Sequence, residues 1–293
     1  MDFSALLSAE RAKRRGAGAP AAHEPAPARA IPAPPPPITL AVRRPLVRDA
    51  ARGDCALRDV LYHGDFLSRD EENLMRAAVL HPAHQWQQLR GRTSLSFGGQ
   101  PTSCGFAPEP LPQFCAETVS ILLQAGVFPA DAPPNHVLVN RYEAGEGILP
   151  HSDGPLYDPL VAIISLGGPA ALDFWESLQH SVQGRTENGG ALPSASFVCE
   201  PRSLLVFYGD AYTSFLHGIA ERDADPLHTF KSEAVRNTFK SEGGEREVGP
   251  PGPTLMLRAP RISLTVRRVP TASNTFRCVA PGLAVGRALD DVI

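Results

Sequence analysis

The hydrophobic period of this chain changes near residue 135, and that change limits the folds open to it. Upstream, apolar residues recur at helical spacing. Ser68 and Glu71 form an S-x-x-E pair that predicts a capped helix running to about residue 80. Leu111, Phe114, Cys115, Val119, Leu122 and Leu123 lie on one face of a second helix, with Pro112 near its start and Gly126 just past its end. Downstream, the apolar residues fall in short β-branched or aromatic runs separated by Gly, Pro and Asp. They predict strands over 135–142, 161–166, 171–176, 203–208, 212–217 and 261–269. Helices followed by many short strands predict an α+β fold with a jelly-roll or sandwich core.

The 293 residues are 43% hydrophobic, enough to bury a sizeable core. Against 28 Lys and Arg stand 31 Asp and Glu, a formal charge of −3. That excludes a nucleic-acid binder working by bulk positive charge, although it leaves room for a local basic patch. No apolar run reaches the ~18 residues of a membrane span, so no membrane partner is expected. Five cysteines without a C-x-x-C pair point to reduced thiols rather than a disulfide or zinc framework. Residues 1–50 read as a disordered Ala/Pro-rich tail, with a short N-terminal helix whose basic end carries Arg11, Lys13, Arg14 and Arg15. This tail is compatible with a solvated extension, a nuclear address or an organelle transit peptide; Asp2 and Glu10 count against the last. Nucleus and cytoplasm both stay open. Residues 51–293 then form the globular domain, with surface-loop insertions near 179–199 and 221–260. Nothing in the sequence sets the oligomeric state.

His151-Ser152-Asp153 is the most informative tripeptide. On an extended segment, residues two apart point to one side, so this His and Asp can reach one ion together. His217, at the end of a predicted strand, is the candidate third ligand. Two histidines and a carboxylate leave half of a metal's coordination sphere open, as a non-haem Fe(II) oxygenase requires. The motif alone is weak, because His63-Gly64-Asp65 repeats it; there Asp65 reads as a solvated turn residue. Arg261 to Arg267 strengthens the case. Arg261, Ser263, Thr265 and Arg267 share one strand face, while Ile262, Leu264 and Val266 share the other. Two arginines facing into a barrel need anions, which a dicarboxylate would supply. An edge strand with its arginines in water has the same pattern.

Together these segments resemble the AlkB family of Fe(II)/2-oxoglutarate dioxygenases. The resemblance rests on Asn135-His136-Val137-Leu138-Val139-Asn140-x-Tyr142, on Gly145-Glu146-Gly147-Ile148-x-Pro150-His151-x-Asp153-Gly154-Pro155-Leu156-Tyr157, and on Ile164-Ser165-Leu166-Gly167. Glu200-Pro201-Arg202-Ser203-Leu204-Leu205-Val206, Leu216-His217-Gly218-Ile219 and Arg261-x-Ser263-Leu264-Thr265-x-Arg267 extend it. It covers about residues 57 to 270. It implies a double-stranded β-helix core with flanking helices, Fe(II) as metal and 2-oxoglutarate as co-substrate. It implies that His151, Asp153 and His217 hold the iron and that Arg261 pairs with the distal carboxylate of 2-oxoglutarate. Arg267 would then lie near the metal-bound end, Asn140 and Tyr142 would hydrogen-bond the co-substrate, and Leu138, Ile148 and Ser165 would line its pocket. Ser263 stands where many AlkB enzymes have Asn.

The resemblance further implies oxidation of an N-methyl group, lost as formaldehyde, on RNA or DNA carrying methylated bases. Tyr157 and Trp86 are candidate stacking residues, and Arg90 with Arg92 offers a modest positive rim. Trp175, inside an apolar strand, reads as core. A protein or small-molecule substrate, and a nucleic-acid-binding protein with little turnover, are the alternatives. A cupin with metal-dependent isomerase chemistry would use similar ligands but would not need Arg261.

Overall fold

The computed structural model describes residues 37–41, 57, 59–102, 105–176, 193–226 and 255–270. Ser68 starts helix α1 (Arg69–Val79) with a complete capping box: its hydroxyl accepts from the Glu71 amide at 3.2 Å, and Glu71 Oε2 accepts from the Ser68 amide at 2.8 Å. Pro112, lacking an N–H to satisfy, opens helix α2 (Gln113–Gln124), and Gly126 at φ +69° ends its turn. The inward faces of both helices, including Met75, Val79, Phe114 and Leu122, pack against Val137, Val139, Leu264 and Val266 of a seven-stranded antiparallel sheet.

That sheet runs β1 (Val60–His63), β11 (Leu204–Tyr208), β8 (Leu160–Gly167), β15 (Arg261–Arg267), β6 (His136–Tyr142), β3 (Arg92–Phe97), β2 (Gln87–Leu89). A four-stranded sheet, ordered β10 (Ala195–Cys199), β9 (Ala170–Trp175), β12 (Leu216–Ile219), β7 (Ile148–His151), lies opposite it. Leu172 and Phe174 of the small sheet join Tyr142, Val161, Ile163, Leu205 and Phe207 of the large one in a second apolar cluster. The central strands of the large sheet therefore send alternate residues to the helices and to the space between the sheets. This is the jelly-roll arrangement. After β3, β4 (Gly99–Thr102) and β5 (Gly105–Pro108) pair as a separate two-stranded ribbon.

Several expectations need correction. The strand expected over 212–217 is instead one helical turn, α3 (Gly209–Thr213), followed by β12. Gly209 at φ +51° breaks the extended chain, and the Asp210 amide donates to Asp59 Oδ2 at 2.8 Å. Strand β7 escapes the periodicity because it is four residues long and holds Pro150, which an edge strand tolerates. The two insertions are not surface loops at their ends. Strand β10 closes the first, and β13 (Ala224–Pro226) pairs with β14 (Leu255–Leu257) at the base of the second.

The tail expected over 1–50 does not hold for residues 37–41. Ile38 and Leu40 are 2% and 6% exposed, and both belong to the helix-side core. Gln113 grips the Ile38 backbone through both ends of its amide, and Glu71 Oε1 accepts from the Ala41 amide. The order-opposing composition of the segment is overcome by two apolar side chains that find a prepared groove. The expected basic helix, the proline run up to Pro36 and the middles of both insertions lie outside the described residues.

Candidate active site

The inner face of the large sheet is laid out in rows by its register. Arg92, Tyr142 and Arg261 form one row across β3, β6 and β15, inferred for Arg92 from the neighbouring Thr93–Arg141 pair. Ser94, Asn140, Ser263 and Ser165 form the next, and Ser96, Leu138, Thr265 and Ile163 the one beyond. His136 opposite Arg267 completes the floor. Arg261 and Arg267 therefore face inward, at 3% and 2% exposure, and are not the water-facing arginines of an edge strand.

The small sheet supplies the other wall. The register pairs His151 of β7 directly with His217 of β12, and their ring centroids lie 4.4 Å apart. Asp153 follows two residues after His151. One ligand-capable atom from each of His151, Asp153 and His217 lies within 4.8 Å of the others. The protonation states suit a cation. His151 Nδ1 is 2.8 Å from the Leu149 carbonyl, which can only accept, so that nitrogen carries the proton and Nε2 keeps its lone pair. Burial lowers the His217 pKa to about 3, against the pull of Asp153, and keeps that ring neutral. Burial raises the Asp153 carboxyl, but Arg267 first, then the two histidines, more than reverse this and hold it below the usual range.

Unspent hydrogen-bonding groups show what the cavity is built to receive. Arg267 Nη1 donates to Asp153 Oδ1, while Asp153 Oδ2 is buried without a hydrogen-bond partner. Arg261 Nη2 donates to Ser165 Oγ at 2.9 Å, leaving its Nε and Nη1 buried and unpartnered. A desolvated guanidinium with two unpartnered nitrogens is costly unless an anion meets it, and a carboxylate can meet either edge, each pairing one of these nitrogens with the second N–H of Nη2. The free carboxylate oxygen beside two neutral imidazoles fits a divalent cation in the same way. The residues present thus fit both an iron ion and a dicarboxylate.

The other predicted residues divide. Asn140, Tyr142, Ser165 and Leu138 line the same floor, with Arg261 Cζ 5.7 Å from the Tyr142 ring centroid. Tyr157, 8% exposed, lies 4.0 Å from Arg267 Cζ and 5.4 Å from the His136 ring, so part of its ring is already covered. Trp86 does not line the cavity; it packs against the helix-side core. Arg90 is exposed in the turn between β2 and β3. Trp175 is buried, as expected of core. In the second H-x-D motif, His63 Nδ1 bonds the Gly64 carbonyl and Asp65 pairs with Arg202 at 2.6 Å, so neither serves the site.

Two inner-face residues escaped the sequence reading. His136 was legible as the i−2 and i−4 neighbour of Leu138 and Asn140 on one strand face. Arg92, expected on a positive rim, is 4% exposed and donates from Nε to Asn140 Oδ1 at 3.1 Å.

Residues 61–267 match the family model described as the 2OG-Fe(II) oxygenase superfamily. The chain belongs to that superfamily and is a 2-oxoglutarate- and Fe(II)-dependent dioxygenase of the AlkB type. It is 37% identical over 212 residues to a Danio rerio protein named probable RNA/DNA demethylase ALKBH6, a match spanning 72% of this chain and 86% of that one. It is 30% identical over 163 residues to the Xenopus tropicalis tRNA (carboxymethyluridine(34)-5-O)-methyltransferase alkbh8, spanning 55% of this chain and 22% of that one. Among solved structures, OsALKBH1 aligns with 72% of this chain and 98% of its own at 15% identity, with a TM-score of 0.45.

Proposed function

We propose that this enzyme oxidatively demethylates N-methylated nucleic acid, RNA or DNA. His151, Asp153 and His217 hold the Fe(II), and the distal carboxylate of 2-oxoglutarate sits in the fork of Arg261. Bound iron, with 2-oxoglutarate and O₂, supplies the oxidation of a C–H bond. The protein's part is placement. Arg267 fixes the Asp153 carboxylate so that one oxygen stays directed to the metal. Ser165 orients Arg261, and Asn140 and Tyr142 border the co-substrate between the two cationic rows. Leu138 and Phe207 keep that space dry, which strengthens every charge–charge contact within it.

The observation that carries this reading is the unspent pair at the two ends of one floor: Asp153 Oδ2 beside the histidines, and the open fork of Arg261. The names of the Danio and Xenopus relatives, a probable RNA/DNA demethylase and a tRNA methyltransferase, support nucleic acid as the substrate class. The test incubates the protein with iron and 2-oxoglutarate and measures succinate with and without N-methylated RNA and DNA oligonucleotides. Nucleosides are then read by mass spectrometry against the Asp153→Ala variant. Loss of a methyl mark in step with succinate is expected. Succinate that no oligonucleotide stimulates would move the substrate to a protein or metabolite, and no succinate at all would leave a binding protein.

A further inference from the structure

The inner cavity holds a third buried arginine, and the roles proposed for Arg261 and Arg267 leave it unexplained. Arg92 comes from β3, on the opposite side of Tyr142 from Arg261. Both guanidinium groups lean from that row toward the next. Arg261 reaches Ser165, and Arg92 reaches Asn140. The chemistry of the second contact is one-sided. A guanidinium offers only donors, so the atom of Asn140 that meets Arg92 Nε must be the carbonyl Oδ1. That fixes the side-chain amide against a flip. This contact uses Oδ1 and leaves the Asn140 Nδ2, a pure donor, to other partners. Arg92 Nη2 itself is buried without a hydrogen-bond partner, so the guanidinium carries a desolvation cost that its single bond to Asn140 does not offset.

We infer that Arg92 is a positioning residue for the co-substrate site: by occupying Oδ1 it commits Asn140 to present its N–H donors to 2-oxoglutarate. This rests on the proposed placement of 2-oxoglutarate between Arg261 and the metal. Without Arg92, the amide is free to turn its oxygen toward an incoming carboxylate. That orientation repels the ligand, so part of the binding energy goes into selecting the correct one.

The test measures 2-oxoglutarate binding by calorimetry to the full chain loaded with Mn(II), which reports affinity without turnover. Asn140→Ala is expected to weaken binding about tenfold, the size of one hydrogen bond to a charged group. Arg92→Met is expected to weaken it by a similar factor, yet by less than about twofold in the Asn140→Ala background, because it acts through Asn140. Equal losses in both backgrounds would show that Arg92 acts independently and would overturn the inference. So would an Arg92→Met protein that binds as tightly as the wild type. Asn140→Asp guards against misfolding. Its carboxylate still accepts from Arg92, so the thermal transition is expected to stay at or above that of the wild type, while the lost donor removes affinity. Wild-type affinity in Asn140→Asp would also overturn the inference. Arg261→Ala separates the two levels: if it too leaves binding unchanged, the proposed site is wrong, whereas if it alone abolishes binding, only the role of Arg92 fails.

Discussion

Arg267 and Asp153 form a buried ion pair that joins the two sheets, from the last residue of β15 to the segment just after β7. The pair does two jobs at once. It satisfies one carboxylate oxygen and leaves the other unpartnered beside His217, 3.9 Å from its Nε2. Asp153→Ala therefore removes a proposed metal ligand and strands a buried cation. We expect loss of bound iron and of succinate formation, and a metal-free protein less stable by about 3 kcal/mol. Metal analysis, turnover and chemical denaturation check the three parts separately.

Arg261→Lys keeps the charge but loses the fork that Ser165 orients. The dissociation constant for 2-oxoglutarate is expected to rise at least tenfold with iron content unchanged. Ser165→Ala is expected to give a smaller rise of the same kind, since it loosens the guanidinium without removing it. Calorimetric titration of the two variants distinguishes these outcomes.

His136 makes the stability of the protein sensitive to acid. Burial first, then Arg267, lowers its pKa from 6.5 to about 3. In the unfolded chain the ring takes up a proton near its ordinary pKa, whereas in the folded protein it does so only near 3. Between those limits the unfolded state binds more protons, so stability falls as pH falls, with a slope approaching about 1.4 kcal/mol per pH unit for this one group. His136→Asn is expected to flatten that part of the profile between pH 6 and 4. Urea melts across the range would show no change in slope if the ring were already protonated in the folded state.

Asp225 is fully buried and accepts from Arg258 through both oxygens, from Arg222 Nε at 2.7 Å and from the Ala171 amide. Arg258 also ties the Glu146 and Ala220 carbonyls, next to the strands that carry His151 and His217. Asp225→Ala leaves two cations without their shared anion and is expected to cost about 3–5 kcal/mol. Thermal denaturation should place it well below Ser196→Ala, which removes only one hydroxyl contact to Asp173.

Ile38→Ala and Leu40→Ala are each expected to cost about 2 kcal/mol, because both side chains lie in the helix-side core. Melting temperatures unchanged in both variants would return the segment to the tail.

Much of the chemistry was legible in one dimension. His151-x-Asp153 lies within one extended stretch, and the alternation from Arg261 to Arg267 announces a two-faced strand, so local spacing alone nominates both groups. The capping box of α1 is legible for the same reason, since its partners are three residues apart. Spacing does not reveal which face of a strand meets water. The same pattern from Arg261 to Arg267 would serve an exposed edge, and only the central place of β15 between β6 and β8 turns those arginines inward. Arg92 looked like a rim residue because its burial depends on β6 lying beside β3. Ile38 looked like tail because its groove is made by helices far along the chain. Residue types and near-neighbour spacing set which groups can act. The pairing of β7 with β12, and the closure of one sheet over the other, decide which of them meet, because those contacts join segments whose separation no local pattern records.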